Sequence, residues 1–117
     1  MSNLGDVRQK PVKITLGGQE RELRFDMNAF AELEDLYGSI QAGFEALASG
    51  KFKPIRTMLW LALLHENPNL TEREVGSWIS IGDLAEVASK LTEEFSKSLP
   101  QGAEDEDTKA DTQNSGN

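Results

Sequence analysis

Residues 55–64, IRTMLWLALL, constrain the fold more than any other segment of this chain. As a helix this stretch is apolar almost all round, and such a helix is stable in water only when other elements cover it. Pro54 fits the first turn of that helix, and the ENPN of residues 66–69 breaks it. The pattern predicts a central buried helix over residues 54–65, against which the remaining elements must pack.

A β-hairpin is predicted ahead of this helix. VKITL at residues 12–16 alternates apolar and polar side chains, which is the period of a half-buried strand. Gly17 and Gly18 follow, and two glycines supply the positive φ values of a tight turn. After the turn, RELRF places Leu23 and Phe25 on one face. Because a two-stranded ribbon is marginal alone, we expect its apolar face to lie on helices.

Asp26 is the predicted N-cap of a helix over residues 27–37. Phe25 and Phe30 flank the cap at the spacing of a hydrophobic staple, which fixes the angle between the hairpin and this helix. Gly38 is expected to end the helix. The residues predicted to face inward are Met27, Phe30, Leu33, Leu36 and Tyr37.

Three further helices are predicted from caps and glycines. A short helix over residues 40–48 stops near Gly50. A capping box and a second staple begin a helix over residues 72–80, and Asp83 is the predicted cap of a last helix over residues 84–99. The capping box and the staple use Leu70, Thr71, Glu74 and Val75.

Together these patterns predict a mainly α fold of the α+β class in a single compact domain over residues 12–99. Its N-terminal hairpin, residues 12–25, packs on a compact bundle of about five short helices. Residues 1–11 are polar without periodicity and are predicted to be a flexible leader. Residues 100–117 contain no Leu, Ile, Val or aromatic residue, which predicts a disordered acidic tail.

Charge and composition narrow the possible partners. The formal net charge is −8, which opposes the phosphate attraction behind most nucleic-acid binding, so no nucleic-acid partner is expected. The tail holds five acids and one lysine, and therefore half of that charge. No apolar run is long enough for a membrane span, and no signal-peptide core is present, so we expect no membrane partner and a cytosolic location.

No catalytic, cofactor-binding or metal-binding residues are predicted, and the chain is not expected to be an enzyme. Cysteine is absent and His65 is the single histidine, which leaves no local zinc cluster. His65 is interpreted as structural, at the C-terminal end of the buried helix. Glu32, Glu34, Asp35 and Glu45 lack the ligand spacing of a calcium loop, so a solvated helix face is the favoured interpretation.

LRFDMNAFAELEDLYG, residues 23–38, together with RTMLWLALLHENPNLTEREVG, residues 56–76, resembles the tail assembly chaperones of long-tailed bacteriophages, including relatives in prophages and gene transfer agents. The likeness spans roughly residues 12–98 and rests on packing residues and caps. It implies a small, mainly helical, non-enzymatic protein of the host cytoplasm. Such proteins bind the tape measure protein, keep its hydrophobic helices soluble, help bring tail tube subunits to it and leave the finished particle.

A chaperone for a helical client needs an exposed apolar strip or groove. The predicted partner-binding residues lie on short, glycine-bounded elements that are hard to bury: Phe44, Leu47, Phe52, Trp78 and Ile79. Self-association is left open. Two other functions also stay open, a small acidic regulator or inhibitor of a basic host partner and a minor structural component of the tail.

Overall fold

The computed structural model describes residues 10–99. The tail predicted over residues 100–117 lies outside the described residues, as does most of the leader predicted over residues 1–11. The predicted fold class is confirmed, because an antiparallel two-stranded hairpin is followed by five α-helices in the described part. The elements are β1 (Val12–Leu16), β2 (Gln19–Leu23), α1 (Met27–Tyr37), α2 (Ile40–Ala48), α3 (Phe52–Leu63), α4 (Glu72–Ser77), a 3₁₀ turn (Ile81–Asp83) and α5 (Leu84–Ser98).

β1 and β2 are joined by the predicted glycine turn. Gly17 and Gly18 have φ values of 58° and 79°, and the register sets Val12 opposite Leu23. One face of the ribbon is buried against the helices, as predicted. The buried residues of the ribbon are Val12, Ile14, Leu16 and Leu23. Phe25, which follows β2 on the same face, is also buried.

The predicted entry into α1 is also confirmed. Asp26 Oδ1 accepts a hydrogen bond of 2.9 Å from the backbone N–H of Ala29, which satisfies one of the free donors at the helix start. The rings of Phe25 and Phe30 lie 5.7 Å apart between centroids, as a hydrophobic staple requires. α1 ends at Gly38, whose φ of 95° is costly for a residue with a side chain.

Two of the inward predictions on α1 are wrong. Met27 is 80% exposed and Leu36 is 51% exposed. With 3.6 residues per turn, Met27 lies about 120° around the helix from the fully buried Leu33, outside the stripe that Leu33 and Ala29 bury. Leu36 lies on the edge of that stripe opposite to Phe30, and about half of it stays exposed to solvent.

α3 is the buried centre of the fold, as predicted, and α1, α2, α4, α5 and β2 all contact it. It begins at Phe52, two residues before the predicted start, so Pro54 lies at the third position of its first turn. It ends at Leu63 and not at residue 65. Its buried residues are Ile55, Thr57, Met58, Leu59, Leu61, Ala62 and Leu63.

The start of α4 follows the predicted capping box. Thr71 Oγ1 accepts a hydrogen bond from Glu74 N, and Glu74 Oε1 accepts one from Thr71 N, at 3.1 and 3.0 Å. Leu70 and Val75, the residues of the predicted second staple, are both buried. Sequence spacing therefore located this helix start correctly.

The connection from α4 to α5 differs from the prediction. α4 stops at Ser77 and not at residue 80. Asp83 is the N-cap residue of α5, as predicted, but its side chain makes no capping hydrogen bond to that helix. Its Oδ2 instead accepts hydrogen bonds from the backbone N–H and the hydroxyl of Ser80, at 3.3 and 2.9 Å. The carboxylate thus closes the 3₁₀ turn that precedes α5.

Candidate protein-binding groove

Two of the five predicted partner-binding residues lie in or at the edge of the core. Leu47 is 2% exposed, so its predicted availability to a partner is wrong. Phe44 is half-buried, with its ring centroid 5.3 Å from that of Phe95. The reason is the close packing of α2 on α1, because a Cβ at Gly43 would lie 2.3 Å from a methyl carbon of Leu33. The glycine lets a short helix dock fully.

Trp78, another of the five, packs on the hairpin turn. Its ring lies under the guanidinium group of Arg21, with 3.8 Å from Cζ to the ring centroid. A Cβ at Gly17 would lie 2.8 Å from Trp78 Cδ1, so the ring covers the turn at close range. Trp78 is half-buried and connects the end of α4 to the hairpin.

The remaining two predicted residues, Phe52 and Ile79, line one groove. It has a volume of about 380 Å³ and lies between the start of α3, the end of α4 and the 3₁₀ turn before α5. Phe52 is 61% exposed and Ile81 is 71% exposed, so the apolar walls are open to solvent. The apolar side chains of the groove are Phe52, Ile79, Ile81 and Leu84, and its charged side chains are Lys53 and Arg56.

An ion pair holds Arg56, one of the residues that line the groove. Arg56 Nη2 donates to Glu72 Oε1 at 3.0 Å and thereby connects α3 to α4. The stem of Arg56 passes close to Gly76, where a Cβ would lie 3.0 Å from Arg56 Cδ. Arg56 Nε is buried and makes no hydrogen bond. The side chain of Arg56 is therefore held by packing as well as by charge.

Tyr37 of α1 lies near Thr57 and Glu72. Burial raises the pKa of Tyr37 above its ordinary value of 10.0, the side chain of Thr57 lowers it, and the negative charge of Glu72 raises it further. Thr57 is buried on α3, and Glu72 also holds Arg56.

His65 lies at the other end of α3, beside the hairpin. Its Nε2 donates to the backbone oxygen of Glu22 at 2.8 Å, and Glu22 N donates to Glu66 Oε2 at 3.0 Å. Arg24 N donates to the backbone oxygen of Ala62, also at 3.0 Å. These bonds satisfy backbone groups on the outer edge of β2, and of Arg24 directly after it, that would otherwise be free to pair with another strand.

The acidic residues singled out in the sequence are all exposed, namely Glu32, Glu34, Asp35 and Glu45. Within residues 10–99, no three His, Asp or Glu side chains are grouped so that they could hold a metal ion. None of the helices in the described range has both the length and the apolar character needed to cross a membrane.

Four of the six apolar and charged residues of the groove were not predicted from the sequence, namely Lys53, Arg56, Ile81 and Leu84. Leu84 and Arg56 belong to helices whose spacing predicts core positions, and spacing does not show which core positions reach the surface. Ile81 did carry a signal, because it is a large apolar residue between Ser80 and Gly82, in a sequence typical of a turn. An apolar side chain at such a position is hard to bury.

The fold and the groove define a small helical protein with an open apolar surface flanked by positive side chains. Comparison with models of known protein families gave no match, and searches of curated proteins and of solved structures also gave none. Chemically, such a groove is suited to apolar side chains of another protein, since apolar walls with a few polar groups are typical of recognition grooves.

Proposed function

We propose that this protein is a tail assembly chaperone of a long-tailed bacteriophage. It binds and solubilises the tape measure protein in the cytoplasm of the bacterial host and helps recruit tail tube subunits. The observation that carries the proposal is the open apolar groove between α3, α4 and α5. The resemblance of residues 23–38 and 56–76 to that family supplies the identity of the client.

The groove suits a client with unpaired apolar helices. Phe52 and Ile81 are exposed in the free protein, and covering them removes apolar surface from water, at roughly 25 cal/mol per Å². The helices around the groove are already fixed by the Arg56–Glu72 ion pair and by the capping box of α4. Because little of the surface must become ordered on binding, less of the interaction free energy is lost.

Co-expression with a tape measure protein from the same genome tests the proposal. We expect the client to become soluble and to co-elute with this protein in size-exclusion chromatography. Ile81→Asp should abolish co-elution, because it places a carboxylate in an apolar binding surface. Met27→Asp is the matched control, since Met27 is also a large apolar residue, is 80% exposed and lies outside the groove.

Both variants alter exposed side chains, so circular dichroism and the thermal midpoint should match those of the unchanged protein. A client that stays insoluble beside the folded, unchanged protein contradicts the proposal. So does a client that Ile81→Asp solubilises as well as Met27→Asp does.

The acidic tail favours a second function, a regulator that captures a basic host partner by charge. Residues 100–117 hold five acids and one lysine. Deleting them should leave client solubility and co-elution unchanged, because the groove lies wholly within residues 52–84. Loss of partner binding on deletion, with the groove intact, favours the regulator.

A further inference from the structure

The groove carries positive charge in a chain whose formal net charge is −8. Lys53 and Arg56 are its charged lining residues, and no carboxylate is among them. Arg56 is paired with Glu72, whereas Lys53 takes part in neither of the ion pairs found within residues 10–99. The positive charge of Lys53 is therefore available to a bound partner.

The first turn of α3 adds to this positive charge. Lys51, at the N-cap, makes no side-chain capping bond, and no acid lies in the first turn. α4 is different, because Glu72 and Glu74 lie in its first turn and a capping box closes it. The first N–H groups of α3 thus keep the partial positive charge of a helix start, next to Lys53.

We propose that the groove binds an amphipathic helix whose apolar stripe is flanked by carboxylates, and that Lys53 pairs with one of them. This inference rests on the proposed function and specifies the chemistry of the client segment. The apolar side chains of that helix, at i, i+3, i+4 and i+7, contact Phe52 and Ile81. A charge pair at the rim of an apolar contact chooses partner and orientation more than it adds affinity.

Two synthetic helical peptides provide the test with the full-length protein. Both carry leucines at i, i+3, i+4 and i+7, and the positions flanking this stripe are all Glu in one peptide and all Lys in the other. In fluorescence anisotropy the Glu peptide should bind roughly three- to tenfold more tightly, from rim contacts that are individually weak. The preference should shrink as salt is raised, because these charges are exposed.

Lys53→Glu should reverse the preference, so that the Lys peptide binds more tightly than the Glu peptide. Lys13→Glu is the control, because it changes the net charge equally on an exposed residue of β1 outside the groove. The control should keep the preference for the Glu peptide. Ile81→Asp should weaken the binding of both peptides.

Equal affinities of the two peptides, with both weakened by Ile81→Asp, overturn the inference and leave the proposed function standing. Failure of both peptides to bind also overturns it, and co-expression with the tape measure protein then decides the proposed function separately. A free protein that is a dimer, and that becomes a monomer in Ile81→Asp, means that a second copy occupies the groove and likewise overturns the inference.

Discussion

The two ends of α3 differ in how far neighbouring residues hydrogen-bond to them and cover them. At the C-terminal end, His65 and Glu66 bond to Glu22, and Arg24 bonds to Ala62, so the hairpin and the helix close on each other. At the N-terminal end there is no side-chain cap, and Phe52 is 61% exposed beside an open groove. One helix therefore stabilises the fold at one end and leaves apolar surface available at the other.

Truncating one apolar residue beside each end of α3 should give the largest difference in the free energy of unfolding. Leu23, on the buried face of the hairpin, is 1% exposed, so Leu23→Ala should lower the free energy of unfolding by about 2–5 kcal/mol. Ile81→Ala in the groove should change it by less than about 0.5 kcal/mol, because Ile81 is 71% exposed. Urea unfolding measures both values. Equal losses would mean that the groove is part of the core.

The two turn glycines test the packing of the hairpin, which lies beside the C-terminal end of α3. Both have positive φ, so an alanine at either position should lower stability by about 1–2 kcal/mol. Gly17→Ala should cost more than Gly18→Ala, because its Cβ meets the Trp78 ring at 2.8 Å while no atom lies within 4 Å at Gly18. Thermal unfolding ranks the pair. Equal costs would contradict the packing of Trp78 on the turn.

A capping side chain at position 51 should stabilise the N-terminal end of α3. Lys51 already has the extended backbone of an N-cap residue, with φ −76° and ψ 152°. Lys51→Asp should therefore raise the free energy of unfolding by about 0.5–1 kcal/mol. The same change should weaken the binding of the Glu peptide, since it removes a positive charge and adds a negative one. A variant with no gain in stability would show that this helix start is already satisfied.

The smallest expected effect is on the pH dependence of stability, through Tyr37. The pKa of Tyr37 is raised, chiefly by burial, so the folded chain holds the phenol proton more tightly than the unfolded chain. Its contribution is fully present below the ordinary pKa of 10.0 and is lost as the pH rises above that value through the folded pKa. Tyr37→Phe should therefore lose less stability between pH 9 and pH 11. Urea unfolding at each pH measures this loss. If Tyr37→Phe loses as much stability over this range as the unchanged protein does, the assignment is contradicted.

Sequence reasoning succeeded where partners are close along the chain. The cap at Asp26, the Phe25–Phe30 staple and the glycine turn all join residues within five positions, so their spacing specifies the contact. Fold class follows from the same signals, since strand and helix periods are local properties.

It failed where contacts join distant segments. Leu47 is buried because α2 packs closely on α1, where Gly43 leaves room for the side chain of Leu33. The spacing of residues along α2 does not reveal a contact with another helix. The groove likewise combines Phe52 of α3 with Ile81 of the 3₁₀ turn, and only packing in three dimensions brings them together. The family resemblance indicated that an apolar surface should exist, but not which residues form it.

Site-specific photo-crosslinking shows whether the groove contacts the client. A photoreactive amino acid is placed at Ile81 or, as the control, at Met27, which is similarly exposed on α1. The protein is then co-expressed with the tape measure protein and irradiated in cells. We expect a crosslink to the client from position 81 and none from position 27. A crosslink from position 27 alone, or equally from both, would contradict this expectation.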